Sequence, residues 1–209
     1  MSCDECQVID GIGIIPVDEI GVPPHEFAYC DELNSIVIPE SISVIGESAF
    51  EGCVNLRNLQ MSDTMLWIGD EAFSGCESLA HIVLPRELHT IGWYAFSDCI
   101  NLEDIEFPDG LAIIGNFAFS GCRKLRSVII PEGVREVGDD AFAGCEILKE
   151  IVFKGSNTIV GVSAFEYCDA LDKIIVPCGS RSFYMDLLPE NLHSIIFEQT
   201  DGNVSVNRK

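Results

Sequence analysis

Basic side chains are scarce: the 209 residues hold 12 Lys and Arg against 34 Asp and Glu, a formal charge of −22. Nucleic-acid affinity comes mainly from Lys and Arg neutralising phosphates, so such a surface repels DNA and RNA. Anionic membrane surfaces are disfavoured for the same reason. Long apolar runs are also missing, since no stretch approaches the roughly 18 consecutive apolar residues of a transmembrane helix. The opening MSCDECQVID has neither the basic start nor the apolar run of a secretory signal, so a cytoplasmic setting is expected. The alternative is the cell surface, as part of a longer secreted protein. One sequon, Asn203-Val204-Ser205, matters only in a eukaryotic secretory setting. The acidity itself reads as solubility or as steering of a basic partner.

What the chain does have is periodicity. Phe27, Phe50, Phe73, Phe96, Phe119, Phe142 and Phe165 fall 23 residues apart. Cys30, Cys53, Cys76, Cys99, Cys122, Cys145 and Cys168 keep that spacing, as do Gly46, Gly69, Gly92, Gly115, Gly138 and Gly161. Pro39, Pro85, Pro108, Pro131 and Pro177 form a further column, with Ser62 and Lys154 as its exceptions. One unit reads Leu33-x-x-Ile36-x-Ile38-Pro39-x-x-Ile42-x-x-Ile45-Gly46-x-x-Ala49-Phe50-x-x-Cys53. Self-similarity at a fixed period is the signature of a repeat architecture.

Each column has a physical reading. Leu33-x-x-Ile36-x-Ile38 ends in the alternation of a short strand with one buried face. Proline after the strand removes a backbone donor and turns the chain. The Gly column requires either positive φ or close approach of the next coil. Ala-Phe-x-x-Cys predicts a short helical or 3₁₀ turn whose Phe fills the coil. A coil of 23 residues cannot bury these side chains alone, so coils must stack and their strands must form one parallel sheet.

These residues resemble the BspA-like leucine-rich repeats, whose pattern is L-x-x-I-x-[IL]-P-x-x-[VL]-x-x-I-G-x-x-A-F-x-x-C. The likeness covers about residues 10–199. It extends to Val176-Pro177-Cys178-Gly179-Ser180 with Phe183-Tyr184, which looks like the family's terminal cap. The resemblance implies a non-enzymatic solenoid, related to bacterial and protist surface proteins that bind other proteins. The expected fold is a leucine-rich-repeat solenoid (α/β, predominantly β), a curved parallel sheet of about nine short strands with short helical or 3₁₀ turns opposite. Residues 1–9 read as an N-terminal segment, 10–30 as a degenerate capping repeat and 31–176 as regular repeats. Residues 177–199 read as a C-terminal cap, with a short helix over Arg181–Leu188 ended before Pro189, and 200–209 as a tail. Leu192-x-x-Ile195-x-Phe197 predicts the last strand.

Chemistry has little to work with. The ladder cysteines share one Cβ direction, so neighbours stand about a strand spacing, ~4.8 Å, apart, more than a disulfide allows. They read as reduced, buried thiols. Cys3-x-x-Cys6 lacks the second ligand pair of a structural zinc site. His25, His81, His89 and His193 occupy four unrelated columns, and no Ser or Cys stands in a nucleophile context. Gly11-x-Gly13 is no phosphate loop, and pairs such as Asp104 and Glu106 read as a solvated face. Neither catalysis nor a cofactor or metal is expected.

Binding is the remaining role, with another protein as partner, a basic one where the acidity serves steering. One outward strand column reads Val37, Gln60, Val83, Glu106, Ile129, Val152, Ile175 and Ile196. Its apolar members are a docking strip or simply residues that suit strands. The neighbouring column, Ser35, Asn58, His81, Asp104, Ser127, Glu150, Lys173 and Ser194, is polar. A second candidate is Trp93, Tyr94 and Phe117 on the turn side, where Tyr94 and Phe117 should stack and Trp67 joins from the coil before. Competing readings are a monomeric structural spacer, a self-associating element, and a carbohydrate or cation binder.

Overall fold

A computed structural model describes residues 8–15 and 19–199. The chain winds as a solenoid in which each regular coil contributes to three bonded rows. The front row holds nine parallel-stacked strands among the described residues: Ile12–Gly13, Ser35–Ile38, Asn58–Met61, His81–Val83, Asp104–Glu106, Ser127–Ile130, Glu150–Phe153, Lys173–Val176 and Ile196–Glu198. Register is set by the repeat: Ser35 pairs with Asn58, His81 with Asp104, and Ser127 with Glu150, each one period on. Ile36, Ile82, Ile105, Val128, Ile151 and Ile174 point inward and are buried, as the two-residue period of a strand requires. The row is bonded in three blocks, with the ladder interrupted between Asn58–Met61 and His81–Val83 and again between Asp104–Glu106 and Ser127–Ile130.

A second row was not foreseen in the sequence. The two-residue strands Gly21–Val22, Val44–Ile45, Trp67–Ile68, Thr90–Ile91, Ile113–Ile114, Glu136–Val137 and Ile159–Val160 make one continuous parallel sheet. Directly after it comes the Gly column, and here close approach is the deciding reason. A Cβ on Gly92 would sit 2.6 Å from the Gly69 carbonyl carbon, and one on Gly115 would sit 2.7 Å from that of Gly92. Coils touch backbone to backbone at these points.

The third row is the Ala-Phe-x-x-Cys arc. Its hydrogen bonds are of the i+3 to i kind, as in a 3₁₀ turn, but none propagates into a helix. Amides alternate instead: Ala49 and Glu51 bond back to Gly46 and Ser48 within the coil, while Ser48, Phe50 and Gly52 donate to Asp70, Ala72 and Ser74 of the next coil. That alternation needs left-handed residues at fixed points. Ser48, Glu71, Tyr94, Phe117 and Asp140 take φ between 53 and 58°, and Gly52, Gly75, Gly121 and Gly144 take 67 to 73° in a second such column. Backbone amides are thereby bonded both along the chain and along the axis.

The interior is a stack of identical side chains. Successive Phe rings from Phe27 to Phe142 lie 5.0 to 5.4 Å apart and within 9° of parallel, with 6.0 Å to Phe165. Beside them runs the thiol ladder. From Cys53 to Cys168 each Cys Sγ–H donates to the carbonyl of the Phe 26 residues earlier, as from Cys53 to Phe27 at 3.0 Å and from Cys99 to Phe73 at 3.3 Å. The same carbonyl accepts the amide of its own coil's Cys, since Cys30 N–H donates to Phe27 O at 3.1 Å. Cysteine thus fills a small volume and also supplies a weak donor to a second lone pair. Burial pushes the Cys99 thiol up to about 12 and raises those of Cys76 and Cys122 as well.

This arrangement makes a chemical prediction. Ladder thiols are expected to resist alkylation in the folded chain, where exposed Cys178 reacts, and to react fully in denaturant. The raised pKa values of Cys76, Cys99 and Cys122 also fix a pH dependence. The native state holds its thiol protons more tightly than the unfolded state, so this stability is present below the ordinary thiol pKa, 9.0, and is lost as pH rises towards about 12. Mass spectrometry of labelled protein, and urea melts from neutral to strongly alkaline pH, check the two halves.

Both ends are closed by irregular elements. Val8–Ile9 pairs antiparallel with Ile12–Gly13 through Asp10 and Gly11 at φ 50 and 78°, a two-residue hairpin turn that blunts the sheet edge. The boundary expected between residues 9 and 10 cuts this hairpin. At the other end Arg181–Leu187 is helical and stops before Pro189, as expected. Tyr184 is fully buried against Phe153, ring centroids 4.7 Å apart, and its hydroxyl donates to Gly155 O at 2.7 Å. Glu190–Ile195 is then a 3₁₀ turn, not the start of a strand. Cys3, Cys6 and the sequon at Asn203 lie outside the described residues.

Candidate functional site

Two exposed faces carry the residues singled out from the sequence. On the front row, Val37, Val83 and Ile129 are exposed, Val83 at 81%. Gln60 and Glu106 are exposed beside them and Val152 is half-buried. Ile175 and Ile196 do not belong to this surface. Ile175 is 5% exposed, held in register between Val152 and Phe197. Ile196 is 2% exposed because it pairs with Ile174, so it points into the core and Phe197 takes the outward place. A slip of one residue moves a side chain to the other face, and the 3₁₀ turn through Ile195 produces that slip.

The exposed strip is therefore shorter than expected, and it is discontinuous. Val37 and Val83 are separated by Gln60, and Val83 and Ile129 by Glu106. A shallow groove of about 390 Å³ opens beside Val37, between Arg57, Asn58, Gln60 and His81, where the sheet ladder is interrupted. Further along, Ile129, Val152, Ile175 and Phe197 form an unbroken apolar run in register. It is flanked by the Glu150–Lys173 ion pair at 2.6 Å.

The turn face shows the predicted stack. Tyr94 and Phe117 lie 4.5 Å apart and 3° from parallel. Trp93 is 57% exposed beside them, and its amide donates to Asp70 Oδ1 at 2.8 Å. Trp67 is exposed too, but it belongs to the second strand row, in register with Val44 and Thr90, and among the described residues it joins no ring stack. Sequence reasoning passed over Tyr29 and Tyr167, which stand 56% and 70% exposed at the two ends of one left-handed column. Their occurrence where other coils have Gly or Asp was the available signal.

His89 Nδ1 lies 2.6 Å from the carbonyl oxygen of Glu87, His193 Nε2 lies 2.9 Å from that of Leu188, and His81 stands on the front row. Among the described residues there is no cluster of metal-ligating side chains and no helix long and apolar enough to cross a membrane. Arg123–Glu146 and Arg126–Glu103 are further surface ion pairs.

The family model for the BspA type leucine-rich repeat region, in 6 copies, matches residues 20–111 and 90–200. The chain belongs to the BspA-type leucine-rich-repeat family. Its solenoid is similar to the crystal structure of a leucine-rich-repeat protein of T. pallidum, at 32% identity and a TM-score of 0.71, covering 84% of this chain and 81% of that one. It is also similar to a leucine-rich cell surface protein of Faecalibacterium prausnitzii, at 27% identity and a TM-score of 0.58. That likeness covers 86% of this chain but 62% of the other. No curated protein matches significantly. BspA-type repeats are scaffolds, and scaffolds of this kind commonly serve protein interaction.

Proposed function

We propose that this repeat scaffold recognises another protein through its front strand row, without catalysis. The observation that carries the reading is the exposure of β-branched apolar side chains at Val37, Val83 and Ile129. Packing fixes the inward columns, but nothing in the core requires these three. A partner covering the row from Val83 to Val152 would meet Glu106 in its midst and Asp104 in the neighbouring column, and would reach the roughly 800 Å² per side of a standard interface by extending onto the columns beside it.

The test is a double variant, Val83→Asp with Ile129→Asp, in a pull-down followed by titration of the captured partner. Both side chains face solvent, so the variant is expected to keep the parent's melting temperature while binding at least tenfold more weakly. Normal folding with undiminished binding refutes the front row as the site. Ile175→Asp, by contrast, is expected to destabilise the chain by at least about 2 kcal/mol, because it places a carboxylate in a buried apolar position. Urea unfolding reads that difference.

Self-association is a second reading with an observation of its own. At the last coil a pocket of about 570 Å³ opens beside Val162, Tyr167, Leu171 and Leu192. Light scattering across concentration separates a monomer from an associating chain. Localisation is likewise a proposal. Free thiols favour a reducing compartment, yet ladder thiols that are buried and bonded to carbonyls also survive outside one, as the cell-surface alternative requires. Fractionation of the source cells decides between the two.

A further inference from the structure

Charge is divided unequally along the solenoid. Residues 1–122 hold 21 Asp and Glu against two Lys and Arg, a formal −19, whereas residues 123–209 hold 13 against 10, a formal −3. The three ion pairs among the described residues all take their cation from the second stretch. Arg57 and Arg86 enter none of them. The carboxylates of the first coils therefore stand largely uncompensated.

On the turn side these carboxylates meet the aromatic patch. Glu47, Asp70 and Trp93 occupy one column, and Ser48, Glu71, Tyr94 and Phe117 the column beside it. Glu71 N–H donates to Trp93 O at 2.7 Å, and Asp70 Oδ1 accepts the Trp93 amide at 2.8 Å, so acidic and aromatic halves are bonded edge to edge. Burial and the carboxylates of Glu51, Glu47 and Asp70 push the Glu71 carboxyl up, against the opposing effect of His25. Excess negative charge is concentrated here. The Tyr94–Phe117 stack runs along the solenoid axis, which turns the other face of Tyr94 towards the coil of Glu71. Tyr94 itself is 37% exposed, one coil step from the Glu71 carboxylate in the same column.

A flat cation is what this pairing fits. Guanidinium stacks on aromatic faces and donates two parallel hydrogen bonds to a carboxylate, whereas an ammonium does neither as well. We infer that the ridge formed by Glu47, Glu71, Trp93 and Tyr94 docks an arginine-rich segment of a partner protein. The inference rests on the recognition reading above but on the opposite side of the solenoid, so either surface can fail without the other.

The experiment titrates the full chain with nona-arginine and nona-lysine peptides at low and at raised salt. Nona-arginine is expected to bind at least fivefold more tightly than nona-lysine, with both weakening as salt rises. Glu47→Gln with Glu71→Gln is expected to weaken nona-arginine at least tenfold. The control, Asp109→Asn with Glu132→Gln, removes the same charge from two exposed positions outside both surfaces and is expected to change binding less than twofold. Trp93→Ser with Tyr94→Asn, the Asn suiting the left-handed backbone there, is expected to erase the preference for arginine while leaving residual charge-driven binding. Equal losses in the control and ridge variants would show attraction to net charge alone and overturn the inference. So would equal affinity of the parent for the two peptides, or no binding of either.

Discussion

Phe96→Ala is expected to cost about 3–5 kcal/mol in urea unfolding, the range for deleting a buried aromatic side chain. The side chain is fully buried, and its ring is stacked on both sides, 5.2 Å from Phe73 and 5.3 Å from Phe119. Removing it leaves a void that neighbours on the same rigid ladder cannot fill without shifting whole coils. Phe27 is just as buried but stacks on Phe50 alone among the ladder rings. Phe27→Ala should therefore lose the same transfer free energy but one aromatic contact fewer, a difference of about 1 kcal/mol. The comparison isolates the contribution of stacking between coils, because the deleted atoms are identical.

Gly92→Ala is the other large effect. The new Cβ would meet Asp70 N and the Gly69 carbonyl carbon at 2.6 Å each. These are backbone atoms of the preceding coil, so relief requires parting two bonded rows. The expected loss is about 3 kcal/mol, the upper end of what overpacking a tight interior costs, with the melting temperature falling accordingly. Gly75→Ala serves as comparison. Its surroundings are open, the nearest atom being 3.6 Å away, but its φ is +70°, so only the left-handed strain of about 1–2 kcal/mol is expected. Reversal of that order would mean that conformation, not contact, selects the Gly column.

Much of this architecture is legible in the columns. Ile36, Ile38, Ile42, Ile45, Ala49, Phe50 and Cys53 recur at fixed offsets because each meets its own counterpart in the next coil, and all seven are buried. Position within the period thus translates directly into depth. Features that depend on two residues or on local phase were harder to read. Val44–Ile45 and its relatives are too short to show alternation, and their outward members are as varied as Trp67, Thr90 and Glu136. The hairpin at Asp10-Gly11 did carry its signal, an Asp-Gly pair between apolar residues, but lies outside the repeat that organised the reading. Left-handed residues at Glu71, Tyr94 and Phe117 carry no compositional mark, since their conformation is imposed by amides shared between coils.

The candidate site was legible only in outline. Exposure of Val83 and Ile129 followed from strand alternation alone. Burial of Ile175 and Ile196 did not, because Ile195, Ile196 and Phe197 are all apolar and the pattern accepts either phase. The structure resolves that ambiguity through the Glu190–Ile195 turn, which delays the last strand by one residue. The Tyr94–Phe117 stack followed from shared column position, whereas the place of Trp67 depended on a strand row that the pattern did not reveal.

Amide hydrogen exchange on the complex with the captured partner tests the central claim most directly. The account predicts added protection over the front strands, at His81–Val83, Ser127–Ile130 and Glu150–Phe153, with little change in the Phe and Cys interior, which is already closed. A footprint that spares these strands while the partner remains bound would contradict recognition through the front row.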